Sequence, residues 1–476
     1  MIKSGWEIVI GLEVHAQIAS KSKLFSRAPT SFGADPNTNI ELFDVAIPGT
    51  LPVLNKECIE LAVLTALGVG AVINKLSRFD RKHYFYPDLP LGYQTTQFYE
   101  PIARDGIITI GSGKTIKIER LHIEQDAGKS IHDQSMYETF IDLNRAGIGL
   151  MEIVTAPDLR SAKEASEFLS KLRLILRYLN TCDGDMEKGS LRCDANVSVR
   201  PIGSDKYGNR VEIKNLNSLK FLEKAIEFEA IRQIAEIESG NDIIQETRLF
   251  DTNNLETRSM RLKEDAVDYR YFPDPDILPV ELSDEYISSM KARLPELPDQ
   301  KLKRYTESLN IPLKEALVLI AEKSVSEFFE KLNSLVQDSK LCTNWLIVEL
   351  FARMNKLEVK IDDERMIKVH MLAQLLLFLK NNEISASSAK QGLDIMFESG
   401  KDPASIIKER SLMQISNHDT IKEIIICVLS ENSLEVERYK NGEDRLFSFF
   451  VGQVMKIAKG KADPGIINEL LKKLLP

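Results

Sequence analysis

Residues 6–15 (WEIVIGLEVH) alternate, with Trp6, Ile8, Ile10, Leu12 and Val14 on one face and Glu13 and His15 on the other. Two residues along a strand span roughly 6.5–7 Å, near enough for a carboxylate and an imidazole to converge on one ion. Alone, that pair describes a solvated strand face equally well. In residues 118–129 (IERLHIEQDAGK) strand parity puts Arg120, His122, Glu124 and Asp126 on one side before a turn at Gly128. Residues 191–198 (LRCDANVS) set Arg192, Asp194, Asn196 and Ser198 against Leu191, Cys193, Ala195 and Val197. In residues 211–215 (VEIKN), Glu212 and Lys214 oppose Val211 and Ile213. Joined in one sheet, these polar faces would line a bowl with oxygen ligands and cations. Carboxylates with at most one imidazole suit a hard divalent ion such as Mg²⁺, and the cations suit phosphate oxygens, so metal-bound nucleotide is the natural occupant. Half-exposed strands carrying surface ion pairs would alternate in the same way.

Other nucleotide motifs fail on inspection. Residues 127–130 (AGKS) resemble the end of a phosphate-binding loop, but its first glycine would fall at Ile123. Residues 68–73 (GVGAVI) lack the third glycine of a dinucleotide fingerprint and read as a helix-end turn. Neither a Gly-x-Ser-x-Gly elbow nor a kinase catalytic loop is present. Two further stretches, 78–88 (RFDRKHYFYPD) and 268–276 (DYRYFPDPD), interleave basic and aromatic residues in a way that suits base stacking and phosphate binding. Aromatic core residues beside proline turns would give the same composition.

The elements that must position these groups divide along the chain. From residue 6 to about 282, short alternating runs broken by Gly, Pro, Asn and Asp predict strands, with helices over 161–179 and 219–238. Without a regular strand-helix repeat, this predicts a mostly antiparallel α+β domain. After 294–298 (LPELP) helical periodicity takes over, as in 312–336, 365–380, 403–410 and 419–430, with a softer break between 395 and 410. The expected domains are 1–293, 294–405 and a tail, 406–476.

The chain has 476 residues, 43% hydrophobic and 28% charged, which is material for two or three globular domains. Five cysteines at wide spacings, without a Cys-x-x-Cys pair, predict reduced and mostly packed thiols. The net charge of −9 requires any nucleic-acid contact to come from local basic patches. Residues 1–11 lack a secretory signal, and no apolar run reaches the length of a membrane span, so a cytoplasmic location and no membrane partner are expected. Between residues 445 and 473 the basic Arg445, Lys456, Lys459, Lys461, Lys472 and Lys473 face only Asp463 and Glu469.

At these residues the sequence resembles the B subunits of the bacterial aspartyl/glutamyl-tRNA amidotransferases. The matching stretches are 9–15, 79–88, 121–129, 142–147, 152–154, 189–196, 212–218, 245–248 and 268–276, followed by 451–456 and 460–461. The resemblance implies a catalytic sheet similar to that of glutamine synthetase, followed by all-α helical and tail domains, the tail contacting tRNA. It implies a heterotrimer with a glutaminase A subunit and a C subunit. ATP and Mg²⁺ would activate the side-chain carboxylate of Glu-tRNA(Gln), Asp-tRNA(Asn) or both as an acyl phosphate, which ammonia from the partner converts to the amide. By resemblance the metal positions are Glu13, His15, Glu124 and Glu152. Glu124, Lys214 and Arg192 are expected to be catalytic, and Lys82, Lys129, Asp194 and Glu212 to bind the nucleotide. Gln125 stands where many members have a second Glu and Leu91 where many have Lys, so neither is assigned a role. A free-standing ammonia-using ligase would not need the helical C-terminal third, and a non-catalytic tRNA-binding scaffold would not need the repeated carboxylate faces.

Overall fold

Strand β1 (Trp6–Gln17) continues two residues past His15, and its inward side chains Ile8, Ile10, Leu12, Val14 and Ala16 are at most 2% exposed. Burial of each Ile, Leu or Val contributes about 1.5–3 kcal/mol, so a one-residue register slip would be costly and the polar face is fixed as firmly as the apolar one. The computed structural model describes residues 3–262, 268–413, 418–458 and 462–475. Lys459, Gly460 and Lys461 of the C-terminal basic segment therefore lie outside the described residues.

After β1 come α1 (Lys56–Gly68), β2 (Val72–Ile73), β3 (Leu76–Ser77), β4 (Asp80–His83), β5 (Tyr93–Thr96), β6 (Ala103–Thr109) and β7 (Thr115–Gln125). The hairpin β8 (Lys129–Ile131) and β9 (Phe140–Asp142) precedes β10 (Gly149–Thr155), α2 (Ala162–Leu179), β11 (Leu191–Pro201) and β12 (Val211–Leu216). Then follow α3 (Leu219–Glu238), β13 (Glu246–Asp251), β14 (Glu256–Leu262), β15 (Phe272–Pro273), β16 (Val280–Glu281) and α4 (Asp284–Ala292). Nine strands form one sheet in the order β14-β13-β12-β11-β1-β10-β7-β6-β2. Neighbours are antiparallel except β12 and β13, which run parallel.

Helices α1, α2 and α3 pack on the sheet, α2 against both α1 and α3. In α2 the buried Ala162, Ala165, Phe168, Leu169, Leu172, Ile175, Leu176 and Leu179 recur at helical spacing, which gives it one apolar stripe. Ser161 caps its start by accepting from the Glu164 N–H, and Asn180 at φ 55° ends it. Over the edge strands, Glu229 of α3 is fully buried and accepts from Thr257 Oγ1 at 2.7 Å and Arg232 Nη2 at 2.6 Å.

Between β1 and α1, residues 18–55 form a long loop tied down by polar contacts. Lys23 is fully buried, with Nζ 3.3 Å from Asp44 Oδ2, which also accepts from Ser26 Oγ at 3.0 Å. A Cβ on Gly147 (φ +84°) would lie 2.9 Å from Asp44 Oδ1, so this approach requires glycine. Asp44→Ala leaves a buried ammonium without its counter-charge and is expected to destabilise the protein by about 3–5 kcal/mol. Denaturant unfolding of the variant checks this; an unchanged midpoint would show the pair to be dispensable.

The chain forms two compact units, Met1–Pro298 and Asp299–Pro476. The second is helical, and among its described residues no strand forms. The stretch 312–336, expected as one helical run, is two helices, Leu313–Ile320 and Lys323–Val336. Glu322 is extended (φ −133°, ψ 137°), and the bend lets Leu319 and Phe329 share one core. The next predicted helix begins at Val369 rather than 365. The apolar residues of this unit form two clusters, one running from Tyr305 to Leu412 and one from Ile421 to Leu475. Among the described residues no helix is long and apolar enough to cross a membrane.

Candidate active site

The chemistry-bearing residues meet because of strand register. His15 lies opposite Glu152 on one side and Arg192 on the other, and Glu152 lies opposite His122, so one row across four strands reads Arg192, His15, Glu152, His122. The next row on the same face reads Asp194, Glu13, Val154, Arg120. Opposed residues in an antiparallel pair hold their side chains about 4.5–5.5 Å apart. Glu124, two residues beyond His122, reaches back into the first row.

The result is a tight cluster. His15 Nε2 is 3.4 Å from Glu152 Oε2 and 3.8 Å from Glu124 Oε1. His122 Nε2 is 3.3 Å from Glu152 Oε2 and 3.6 Å from Glu124 Oε2. One ligand atom from each of His15, Glu124 and Glu152 lies within 4.8 Å of the others. Thr96 Oγ1 donates to Glu124 Oε2 at 3.3 Å. Burial works against charge on the two imidazoles and on Glu152, but the partners outweigh it. The carboxylates Glu152 and Glu124 push the His122 imidazole up to about 9 and raise that of His15 as well. The two imidazoles in turn hold Glu152 well below the usual carboxylate range. Glu13 behaves differently: burial and the nearby charge of Glu152 raise its carboxyl, and its Oε1 accepts from Asn196 Nδ2 at 2.8 Å.

Two ion pairs flank the cluster. Against its burial, the Asp126 carboxyl is held low by Arg192, which donates to both its oxygens at 3.0 and 3.2 Å, and by Arg145 at 3.6 Å. Lys214 Nζ sits 2.7 Å from Asp194 Oδ2 and 2.9 Å from Glu212 Oε1, which keep it protonated against the partial desolvation of its half-buried side chain. Thr247 Oγ1 donates to Glu212 Oε2 at 2.8 Å. Arg120 Nη2 stands 3.9 Å from Glu152, and Lys82 Nζ hangs over the Tyr269 and Tyr84 rings at 5.0 and 5.7 Å.

These groups line one cleft of about 930 Å³. Glu13, His15, Lys82, Glu124, Glu152, Arg192, Asp194, Glu212 and Lys214 all reach it, whereas Lys129 does not. A Cβ on Gly128 would lie 2.9 Å from Asp142 O and 3.0 Å from Asp88 O, so the chain turns there through close backbone contacts and carries Lys129 out to an exposed hairpin. Gln125 is occupied elsewhere, its Oε1 accepting from Thr95 N and its carbonyl from Gln94 Nε2, and Leu91 packs on the apolar core. His122 is the main residue of the cluster to which the sequence assigns no role; parity places it on the face, but only pairing with β10 shows it sharing Glu152 with His15. Gln94 and Thr96, from the four-residue β5, line the cleft without any charged motif that could have marked them.

Two family profiles match the chain, the GatB/GatE catalytic domain over residues 8–288 and the GatB domain over residues 327–475. The chain is 56% identical over 474 residues to the B subunit of the aspartyl/glutamyl-tRNA(Asn/Gln) amidotransferase of Rickettsia rickettsii (strain Sheila Smith), covering 99% of this chain and 98% of that one. It is 55% identical over 476 residues to the protein of the same name from Wolbachia pipientis subsp. Culex pipiens (strain wPip), covering all of both. With a catalytic-domain profile spanning the whole sheet and identity above half from end to end, the chain belongs to the family of aspartyl/glutamyl-tRNA(Asn/Gln) amidotransferase B subunits.

Proposed function

We propose that this chain is the ATP-using subunit that activates the side-chain carboxylate of Glu-tRNA(Gln), Asp-tRNA(Asn) or both, so that ammonia can convert it to the amide. The observation that carries this reading is the convergence of Glu124, Glu152 and His15 with Arg120, Lys82 and Lys214 in one cleft. Two carboxylates and an imidazole within mutual reach fit a hard divalent ion. Glu124, Glu152 and His15 would hold Mg²⁺, with Glu13 beside them, and when bound the ion stabilises charge on a transferring phosphoryl group.

A carboxylate resists ammonia because its oxygen is a poor leaving group. Transfer of the γ-phosphoryl group of ATP to that oxygen releases ADP and leaves an acyl phosphate, and attack by ammonia at the carbonyl then expels phosphate. Lys82 and Arg120 project cations into the cleft for phosphate oxygens. Asp194 and Glu212 orient Lys214 beside the nucleotide, and the Arg192–Asp126 pair holds the end of β7 in place next to Glu124. The sheet is proposed to resemble that of glutamine synthetase, supported by its antiparallel order and its carboxylate-lined face. We further propose the domains 1–293, 294–405 and 406–476 and a cytoplasmic location; two separate apolar clusters support dividing the helical unit in two, although the gap between them falls between Leu412 and Ile421, past residue 405.

Ammonia is proposed to come from a glutaminase A subunit, with a C subunit completing a heterotrimer. Among this chain's own thiols, burial pushes Cys58, Cys182 and Cys342 up to about 12 and raises Cys193 well above its ordinary range. Exposed Cys427 is raised by Glu431. None is poised as a thiolate nucleophile. The isolated chain is therefore expected to form no amide with glutamine, while the complex releases ADP when at least one of the two misacylated tRNAs is added. Glutamine-dependent turnover by the chain alone would overturn the assignment of partners, and a complex whose ATP hydrolysis ignores both tRNAs would overturn the reaction.

A further inference from the structure

Strand β7 loses a backbone neighbour just where the site begins. Its pairing with β6 extends only as far as Ala103 opposite Leu121, and Glu124 lies three residues further on. Buried backbone groups left without partners are costly, so other donors and acceptors must take them up. Side chains of β5 and of the residue after it do so. The Ile123 N–H donates to Gln97 Oε1 at 3.0 Å, and the Gln125 carbonyl accepts from Gln94 Nε2 at 2.7 Å. The Gln125 side chain returns the contact, its Oε1 accepting from the Thr95 N–H at 3.3 Å. Between these bonds Thr96 Oγ1 donates to Glu124 Oε2 at 3.3 Å, closer than His122 at 3.6 Å or His15 at 3.8 Å comes to that carboxylate.

The direction of these bonds is fixed. A backbone N–H can only donate, so the oxygen of the Gln97 amide faces Ile123 and its nitrogen faces Ser77. Gln97 Nε2 donates to Ser77 Oγ at 2.7 Å, and Ser77 Oγ donates in turn to the Glu100 carbonyl at 2.6 Å. Gln97 and Ser77 are fully buried, and Thr96 is nearly so. The segment that supplies the clamp is itself held. Strand β5 pairs with β4 from Thr96 opposite Asp80 to Tyr93 opposite His83, and Asp80 Oδ2 accepts from the N–H groups of Phe98 and Tyr99 at 2.9 and 3.1 Å. The clamp thus joins the three-stranded sheet of β15, β4 and β5 to the nine-stranded sheet that carries the carboxylates.

We infer that Thr96 and Gln97 are positioning residues for phosphoryl transfer: Gln97 fixes the free edge of β7, and Thr96 aims the Glu124 carboxylate toward Glu152 and His15. This rests on the proposed ion site. His15 and Glu152 lie on β1 and β10, each paired with a strand on both sides at that point. Glu124 alone of the three lies where one side of its strand is completed by side chains. Gln97 does not reach the cleft, so its influence passes through the Ile123 N–H to the residue next to it. Groups hydrogen-bonded to a metal ligand set its orientation, and loss of one costs about 10–100-fold in metal affinity or activity.

Mn²⁺ binding, read from the paramagnetic resonance of the free ion, tests this in the assembled complex without nucleotide or tRNA. Thr96→Val keeps the shape of the side chain and removes the hydroxyl. It is expected to weaken Mn²⁺ binding about ten-fold and to lower kcat for ADP release by about ten- to a hundred-fold, and Thr96→Ser is expected to restore both. Gln97→Met, of similar length but without either hydrogen bond, should fall in the class of Thr96→Val. Thr96→Val that binds Mn²⁺ as tightly as the wild type would overturn the inference, as would Thr96→Ser that is no better than Thr96→Val. Mn²⁺ binding that Glu152→Gln leaves unchanged would instead overturn the ion site beneath it, a failure separable from that of the positioning residues.

Discussion

Glu152→Gln is expected to slow ATP-dependent phosphorylation of the aminoacyl-tRNA by about a thousand-fold, because a divalent ion contributes several kcal/mol to a phosphoryl-transfer transition state and each 1.36 kcal/mol is a factor of ten. Glu152 is the hub of the site. Its Oε2 lies 3.4 Å from His15 and 3.3 Å from His122, and its charge is the common cause of the raised pKa of both imidazoles. The amide keeps the shape but removes the charge, so the sheet should fold as before while its grip on a divalent ion weakens. His15→Ala should fall in the same class. Glu13→Gln should cost less, about ten-fold, because the Glu13 carboxyl is turned toward Asn196. Single-turnover transfer of labelled γ-phosphate in the assembled complex, with glutaminase activity as the control, measures all three. A Glu152→Gln rate within ten-fold of wild type would remove this residue from the reaction.

Deleting the chain after Leu412 should raise the tRNA concentration needed for activity by about ten- to a hundred-fold and leave the KM for ATP unchanged. The apolar cluster from Ile421 to Leu475 contains none of the buried residues between Tyr305 and Leu412, so the deletion removes one core and leaves the other whole. Of the basic residues it carries, Arg445, Lys456 and Lys472 are exposed, whereas Lys473 is paired with Glu469 at 2.6 Å. Each phosphate no longer neutralised reduces the salt slope of binding by about 0.7–0.9, so the truncated complex should show a slope flatter by about 2–3. Equal affinity and equal slope would mean that the tail does not touch the tRNA.

The contrast between Lys214 and Lys129 shows how far residue types alone reach. Both come after a carboxylate in a stretch whose polarity alternates, Glu212 before Lys214 and Glu124 before Lys129. Lys214 lies inside β12, where parity holds, and it reaches the cleft. Lys129 follows Gly128, where the backbone passes so close to Asp88 and Asp142 that the alternation breaks down. The same limit explains the helices. Residues 162–179 and 219–238 were legible because spacing and serine caps are local. The break at Glu322 was not, since apolar periodicity continues through it and only the packing of Leu319 and Phe329 into one core requires the bend.

By itself the sequence determined the polar faces of β1, β7, β11 and β12, the helices that cover their backs, the change to an all-helical C-terminal part, and the family. All of these are written in short periods or in contiguous motifs, and the pleat of a strand turns a period of two directly into a face. Only the tertiary structure decided that β10 sits between β1 and β7, and so placed Glu152 between His15 and His122. It also brought residues 78–88 against 268–276, and it made β12 and β13 parallel within an otherwise antiparallel sheet. Strand order and register depend on which apolar faces bury one another across long sequence separations, and alternation within any single strand is the same whichever neighbour it takes.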